Sequence, residues 1–312
     1  MKRKQAVILA VLLLLFGFAA TALAEFTIPE PPQGNLRYSI TVTKFKNESG
    51  WHGRWDLGDG FTTAMTDILH ESGWFIVLGD TEMRKAAMAE QDFGASGRTA
   101  QGKKTAKIGR MTPAQLLVRG SITNVQDVGR KGGGISAFGM SFGADMGHAE
   151  IDITIYLVDS ETGQVKASKK VTGKSTNKGF SVGGRVFPGI GASFGAEKKD
   201  NVQKAAEDAI GQAVAFLVQQ LESIPWEGTI VLAKGDKIVV NRGSREGVQV
   251  GMKFKVGDVE ELVDPDTGEV LDSEMTQVGT LVVTKVKEKI AYCKPESGGE
   301  AIKKGMTVFA MN

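Results

Sequence analysis

The alternation of apolar and polar positions along the chain predicts an ordered series of strands and helices. Residues 36–45 read as a strand, because Tyr38, Ile40 and Val42 alternate with Arg37, Ser39, Thr41 and Thr43. From Leu57 the period changes. Phe61, Ala64, Met65, Ile68 and Leu69 fall three and four residues apart, which lines one face of an amphipathic helix that Gly73 closes. Residues 74–78 form a short strand, and Asp80 or Thr81 caps a second helix running to Ala89. Thr112-Pro113 reads as a helix start, and 116–122 as the next strand. In residues 149–158, Ile151, Ile153, Ile155 and Leu157 alternate with Glu150, Asp152, Thr154 and Tyr156, giving a half-buried strand. Asp159 to Gly163 then turn the chain into a partner strand over 165–171. Residues 201–221 carry the strongest helical pattern, with Asp200 as cap.

Beyond Ile224-Pro225-Trp226 the helical period disappears. Glycines punctuate short strands at 230–232, 237–240, 253–256, 280–286 and 308–311, which predict a small C-terminal all-β, barrel-like domain. The fold class is therefore an α/β (α+β) domain followed by that β domain. The divisions are 1–24, 25–35 (an extended, proline-rich linker), 36–224 and 225–312.

Residues 1–24 have a pattern of their own. Lys2, Arg3 and Lys4 precede an apolar run over 6–20, and Ala22-Leu23-Ala24 ends it, as a secretory signal peptide cleaved between Ala24 and Glu25 would require. The alternative, an N-terminal membrane anchor, asks for about 20 apolar residues and no small-residue exit. Removing the three basic residues takes the formal net charge from +2 to −1. No broad cationic surface is left to neutralise a phosphate backbone, so nucleic acid is not an expected partner. The single cysteine, Cys293, cannot form an internal disulfide and sits in a strand-like run, where it reads as a small core residue.

Two charge-poor windows, 132–144 and 179–196, interrupt the α/β pattern. In the first, Phe138, Met140 and Phe142 alternate with Gly139 and Ser141. In the second, Phe180 and Val182 flank Ser181, and Ile190, Ala192 and Phe194 alternate with Gly191 and Ser193. Alternation of apolar with small or polar residues suits a membrane β-barrel strand, one face to lipid and one to the lumen. The clean alternation is shorter than the roughly 9–11 residues of a spanning strand, so flexible glycine-rich loops, or hairpins laid on another subunit, stand beside it.

Enzyme signatures fail on inspection. Thr172-Gly173-Lys174-Ser175-Thr176 lacks the upstream glycine of a phosphate loop, since position 168 is serine. Gly189-Ile190-Gly191 opens no helix after a strand. His52, His70 and His148 are isolated, and Asp264, Asp266, Asp272 and Glu274 lack a Ca²⁺-loop register, so a solvated turn is the reading there. No nucleophile, base and orienting group come together, and no cofactor or metal is implied.

In order, Lys44-Phe45-Lys46-Asn47, the helix leading into residues 72–78, the 112–122 segment, Val158 to Val165 and the long final helix resemble the CsgG family, the curli production assembly and transport components. The resemblance covers roughly 36–222. It implies a periplasmic, outer-membrane-associated protein whose two inserted hairpins, near 129–148 and 174–198, join those of neighbouring subunits in one large barrel that exports protein. Phe138, Met140, Phe142, Phe180, Val182, Ile190 and Phe194 would then face lipid, and Gly139, Ser141, Ser181, Gly191 and Ser193 the lumen. By position only, Trp51 and Trp55 in the 47–56 loop would narrow the pore. The chain lacks the lipid-attaching cysteine of the best-known members, and that loop is short. Residues 226–312 weakly resemble the C-terminal β domain of the flagellar assembly protein FlgT. The competing reading is a soluble periplasmic interaction protein, such as a ring component, without a pore; both readings make a homo-oligomer or an envelope partner the expected company.

Overall fold

A computed structural model describes residues 27–53, 56–100, 102–103, 105–128, 135–137, 140–142, 148–175, 181–182, 185–186, 201–268 and 270–311. The first body is a mixed sheet covered on one face by two helices. Its strands are β2 (Ser39–Val42), β3 (Lys46–Asn47), β4 (Ile76–Val77), β5 (Leu116–Val128), β8 (His148–Asp159) and β9 (Val165–Lys174). They run in the order β4-β2-β5-β8-β9, with β3 pairing beside β5. The pairs among β2, β3, β4 and β5 are parallel, and β5-β8-β9 is an antiparallel meander.

Helix α1 (Leu57–Ser72) begins where the Asp56 carboxylate accepts the Asp59 N–H, and it ends at Gly73 with a left-handed φ of 69°. Its apolar stripe and that of α3 (Asn201–Gln220) lie against the sheet and touch each other. Ile151, Ile153, Ile155 and Leu157 on alternate positions of β8 are fully buried beneath them. The opposite face of β8 is half-exposed and polar, as the period of two requires. Helix α2 (Thr81–Ala95), capped by Asp80, runs six residues past the expected end at Ala89. Of its residues only Gly94 is buried, and Met83, Met88 and Phe93 are exposed.

One expected helix is absent. Residues 112–115 are irregular and lead straight into β5. Backbone and side-chain bonds tie this segment to β2: Ser39 Oγ donates to the Pro113 carbonyl at 2.9 Å, and the Ser39 N–H to Gln115 Oε1 at 3.1 Å. Proline's fixed φ here serves a sheet entry, because two residues between it and the strand leave no room for a helical turn.

The second body is a closed barrel, with order β12-β13-β16-β15-β14-β17. Its strands are β12 (Glu227–Lys234), β13 (Lys237–Val240), β14 (Lys253–Val263), β15 (Val270–Val286), β16 (Ala291–Ser297) and β17 (Thr307–Ala310). Closure removes the open edges that a six-stranded sheet would otherwise expose. Ile230, Ile238, Val240, Phe254, Val256, Leu281, Val283 and Val308 fill the interior. Cys293 is buried with them, and burial pushes its thiol up to about 12, as fits a core residue.

The two bodies are joined by contacts that leave little slack. The Arg37 N–H donates to the Glu246 carbonyl at 2.9 Å and Arg245 Nη1 to Thr112 Oγ1 at 3.2 Å. At the junction Tyr38 Oη donates to the Ile224 carbonyl at 2.6 Å, and just beyond it, within the second body, the Trp226 ring stacks on Phe254 with centroids 5.4 Å apart. Burial, with the Glu227 carboxylate adding to it, raises the Tyr38 hydroxyl far above its ordinary value and keeps it a donor. At Gly247, φ is 89° and a Cβ would overlap the Asn35 carbonyl, so glycine is required where the linker crosses the barrel.

Candidate functional site

The site of interest is one end of the sheet. Val128, the last residue of β5, pairs with His148, the first of β8, and Glu150 pairs with Lys174, the last of β9. Both charge-poor windows therefore leave the sheet from three adjacent strand ends. The first, 129–147, connects β5 to β8; the second, 175–200, connects β9 to α3. After β3, which pairs in parallel with Ser121 and Ile122, the 48–56 loop heads toward the same end.

Within the windows, β6 (Ile135–Ala137) and β7 (Met140–Phe142) pair antiparallel, with Ile135 opposite Phe142, Ser136 opposite Ser141 and Ala137 opposite Met140. Strands β10 (Ser181–Val182) and β11 (Arg185–Val186) do the same, and β10 also pairs in parallel with β1 (Thr27–Ile28). Of the sequence-predicted positions, Met140, Ser141 and Phe142 thus occupy β7, and Ser181 and Val182 occupy β10. Phe138, Gly139, Phe180, Ile190, Gly191, Ser193 and Phe194 lie outside the described residues, as do Trp55, Asp200, Ala24 and Glu25. Trp51 is half-buried and packs on the core edge, its carbonyl accepting from Asn47 Nδ2 at 2.9 Å. A Cβ on Gly53 would overlap its ring.

The sheet end is braced from both sides. On the open face, Lys174 pairs with Glu150 at 3.2 Å and Lys170 with Asp152 at 3.2 Å, while Thr172 Oγ1 donates to Asp152 at 2.6 Å. Burial pushes the Asp152 carboxyl up, but the bonds from Thr172 and Lys170 and the lysine charge outweigh it and hold the group below the usual range. On the covered face, Asp208 of α3 accepts the Lys174 N–H at 2.9 Å, and Gln212 bridges Asp208 to the Thr172 carbonyl. A Cβ on Gly173 would collide with the Ala205 carbonyl and the Ala209 backbone. The glycine that superficially suggested a phosphate loop is there to let α3 approach β9. Nothing in the isolated sequence separates these two uses of glycine.

Sequence reasoning missed one feature of the second body. It expected strands only at 253–256 and 280–286 around a solvated turn, whereas β14 and β15 pair continuously from Lys253–Val282 to Val263–Val270. The turn is solvated as expected, since Pro265, Asp266, Thr267 and Gly268 are exposed. Among the described residues no cluster of His, Cys, Asp or Glu could hold a metal ion, and no helix is long and apolar enough to cross a membrane, which says nothing about strands.

The arrangement defines a mixed α/β body that sends two glycine-rich excursions off one sheet end, with a small barrel attached. The chain belongs to the family described as the curli production assembly/transport component CsgG, which matches residues 21–237, more than two-thirds of its length. No curated protein matches it in sequence. Solved structures that the chain matches include a PelC dodecamer from Paraburkholderia phytofirmans, at 12% identity over 60% of this chain and 91% of that one, TM-score 0.31. The hypothetical protein CT253 from Chlamydia trachomatis is similar at 11% identity, over 60% and 100% of the two chains, TM-score 0.35. Lipoprotein GNA1162 from Neisseria meningitidis is similar at 16%, over 60% and 99%, TM-score 0.24.

Proposed function

We propose that this chain is a non-enzymatic cell-envelope protein that self-assembles into an oligomeric export assembly at the outer membrane. The windows near 129–148 and 174–198 serve as its membrane hairpins. The observation that supports this reading is that both windows leave the same end of one sheet, beside the 48–56 loop. A hairpin in lipid must have its backbone groups paired, and a ring of subunits each contributing two hairpins closes every edge. Phe138, Met140, Phe142, Phe180, Val182, Ile190 and Phe194 face lipid in this reading; Gly139, Ser141, Ser181, Gly191 and Ser193 line the lumen; Trp51 and Trp55 stand at its constriction. The signal peptide, cleaved between Ala24 and Glu25, delivers residues 25–312 to the periplasm, and the 225–312 domain docks there.

The test is membrane flotation after a carbonate wash that strips peripheral proteins. The natural chain is expected to stay with outer-membrane vesicles, and a Phe138→Asp/Phe142→Asp chain to wash off while keeping its circular dichroism spectrum. If the natural chain washes off, the pore reading fails and the soluble periplasmic ring component replaces it.

A further inference from the structure

The hairpin formed by the outer halves of β14 and β15 projects beyond the barrel as a bare two-stranded ribbon. Residues 258 and 260–263, and 270–274, are exposed, and Leu262 and Leu271 keep 64% and 61% of their surface in solvent. Isolated two-stranded hairpins are marginal in water even when their side chains agree. Here they disagree. Between Asp258 and Gln277 the chain carries eight carboxylates and no Lys, Arg or His. The register sets Glu260 directly opposite Glu274, with Leu262 opposite Asp272 and Asp258 opposite Thr276. Strand alternation puts Asp258, Glu260, Asp272 and Glu274 on one face, and like charges directly opposite destabilise a pair. A ribbon built this way gains stability only when a cationic surface meets that face.

The same barrel carries such a surface. Lys237, Lys285 and Lys287 surround the ring of Tyr292, with each ammonium 5.7 to 5.9 Å from its centroid. Among the described residues none of the three has a carboxylate within ion-pairing distance, although Asp236 and Glu288 stand in the neighbouring turns. Three unneutralised lysines around one ring repel one another unless anions come between them.

Within one chain the two surfaces cannot meet. Glu274 and Lys285 lie on the same continuous strand, eleven residues apart, which holds them about 36 Å from one another. We propose that the acidic face of the β14–β15 ribbon of one copy docks on the Lys237–Lys285–Lys287–Tyr292 patch of a second copy. Such a contact is head-to-tail: two different surfaces are used, and each copy keeps one free of each kind, so repetition gives a ring where the rotation closes. This inference rests on the self-assembly proposed above and assigns the barrel the part of coupling neighbouring subunits.

The test uses the full mature chain, whose natural Cys293 is buried and so silent to maleimides. Leu262→Cys on the acidic face and Lys294→Cys, beside the patch, are made in separate chains, mixed, and treated with a short bismaleimide. The expected product is a cross-linked pair that needs both variants, and its yield falls about tenfold when salt rises from about 0.05 to about 0.5 M. Adding Glu260→Lys/Glu274→Lys to the first chain should remove the product, and adding Lys285→Glu/Lys287→Glu to the second should bring it back. Sedimentation separates the failures. Oligomers that form without the cross-link, or without rescue by the double reversal, overturn the docking but leave self-assembly standing; a chain that stays monomeric overturns both.

Discussion

Each part of the chain carries paired strands outside its core sheet, two glycine-rich windows in the α/β body and one ribbon on the barrel, and the two kinds have opposite chemistry. The windows at 132–144 and 179–196 are glycine-rich and hold one charged side chain between them, Arg185, while the β14–β15 ribbon is dense in carboxylates. Their supports differ too. The sheet end that emits the windows is braced by ion pairs, by Asp208 and by the close approach at Gly173, whereas the β14–β15 ribbon stands on its own register. A ribbon without a second layer takes its stability from what it touches, and the proposals above assign a different medium to each: lipid for the windows, a cationic surface for the acidic ribbon.

Several measurements would break or sharpen this contrast. The largest effect is expected from Trp226→Ala, which empties the stack on Phe254 where the chain enters the barrel; a loss of about 3–5 kcal/mol in chemical unfolding is expected, and an unchanged midpoint would mean the barrel is held by other contacts. Next comes Gly173→Ala, where the collision with α3 should cost about 1–3 kcal/mol and raise hydrogen exchange in β9 while the barrel stays protected. If exchange rose equally in both bodies, the brace would not be local. Smaller is the response to acid. Asp152 is held below its ordinary range when folded, so its contribution is complete above the unfolded value of about 3.9 and is lost as pH falls through the lower folded value. The melting temperature should drop on acidification below about pH 4, and Asp152→Asn should flatten that slope. The smallest effect has the opposite sign: Glu260→Thr/Glu274→Thr should stabilise the ribbon in the monomer by about 0.2–1 kcal/mol while weakening association. A destabilised monomer would contradict the account of like-charge strain.

The order of strands and helices in the α/β body was legible because burial there is one-sided. The buried face of β8 is written as Ile151, Ile153, Ile155 and Leu157, and the polar turn at Asp159 to Gly163 announces β9. Reading failed where a residue's role depends on a distant neighbour. Pro113 looks like a helix start until Ser39 claims its carbonyl, and Gly173 looks like a loop glycine until α3 arrives. The outer part of β14 was hidden for another reason. A register shift between Val256 and Gly257 breaks the alternation, and beyond it no buried side exists to print a pattern. Family resemblance, carried by ordered motifs, reached a family assignment that periodicity alone did not, and the family match over residues 21–237 agrees with it.

The pairing of Thr27 and Ile28 with Ser181 and Val182 has a bearing on how the chain is made. A chain emerging amino terminus first has its opening strand in hand long before the partner strand exists, with more than 150 residues of synthesis between them. Ile28, fully buried at the end, must wait in the open until then. The first strand of the α/β body is therefore among its last to be fastened.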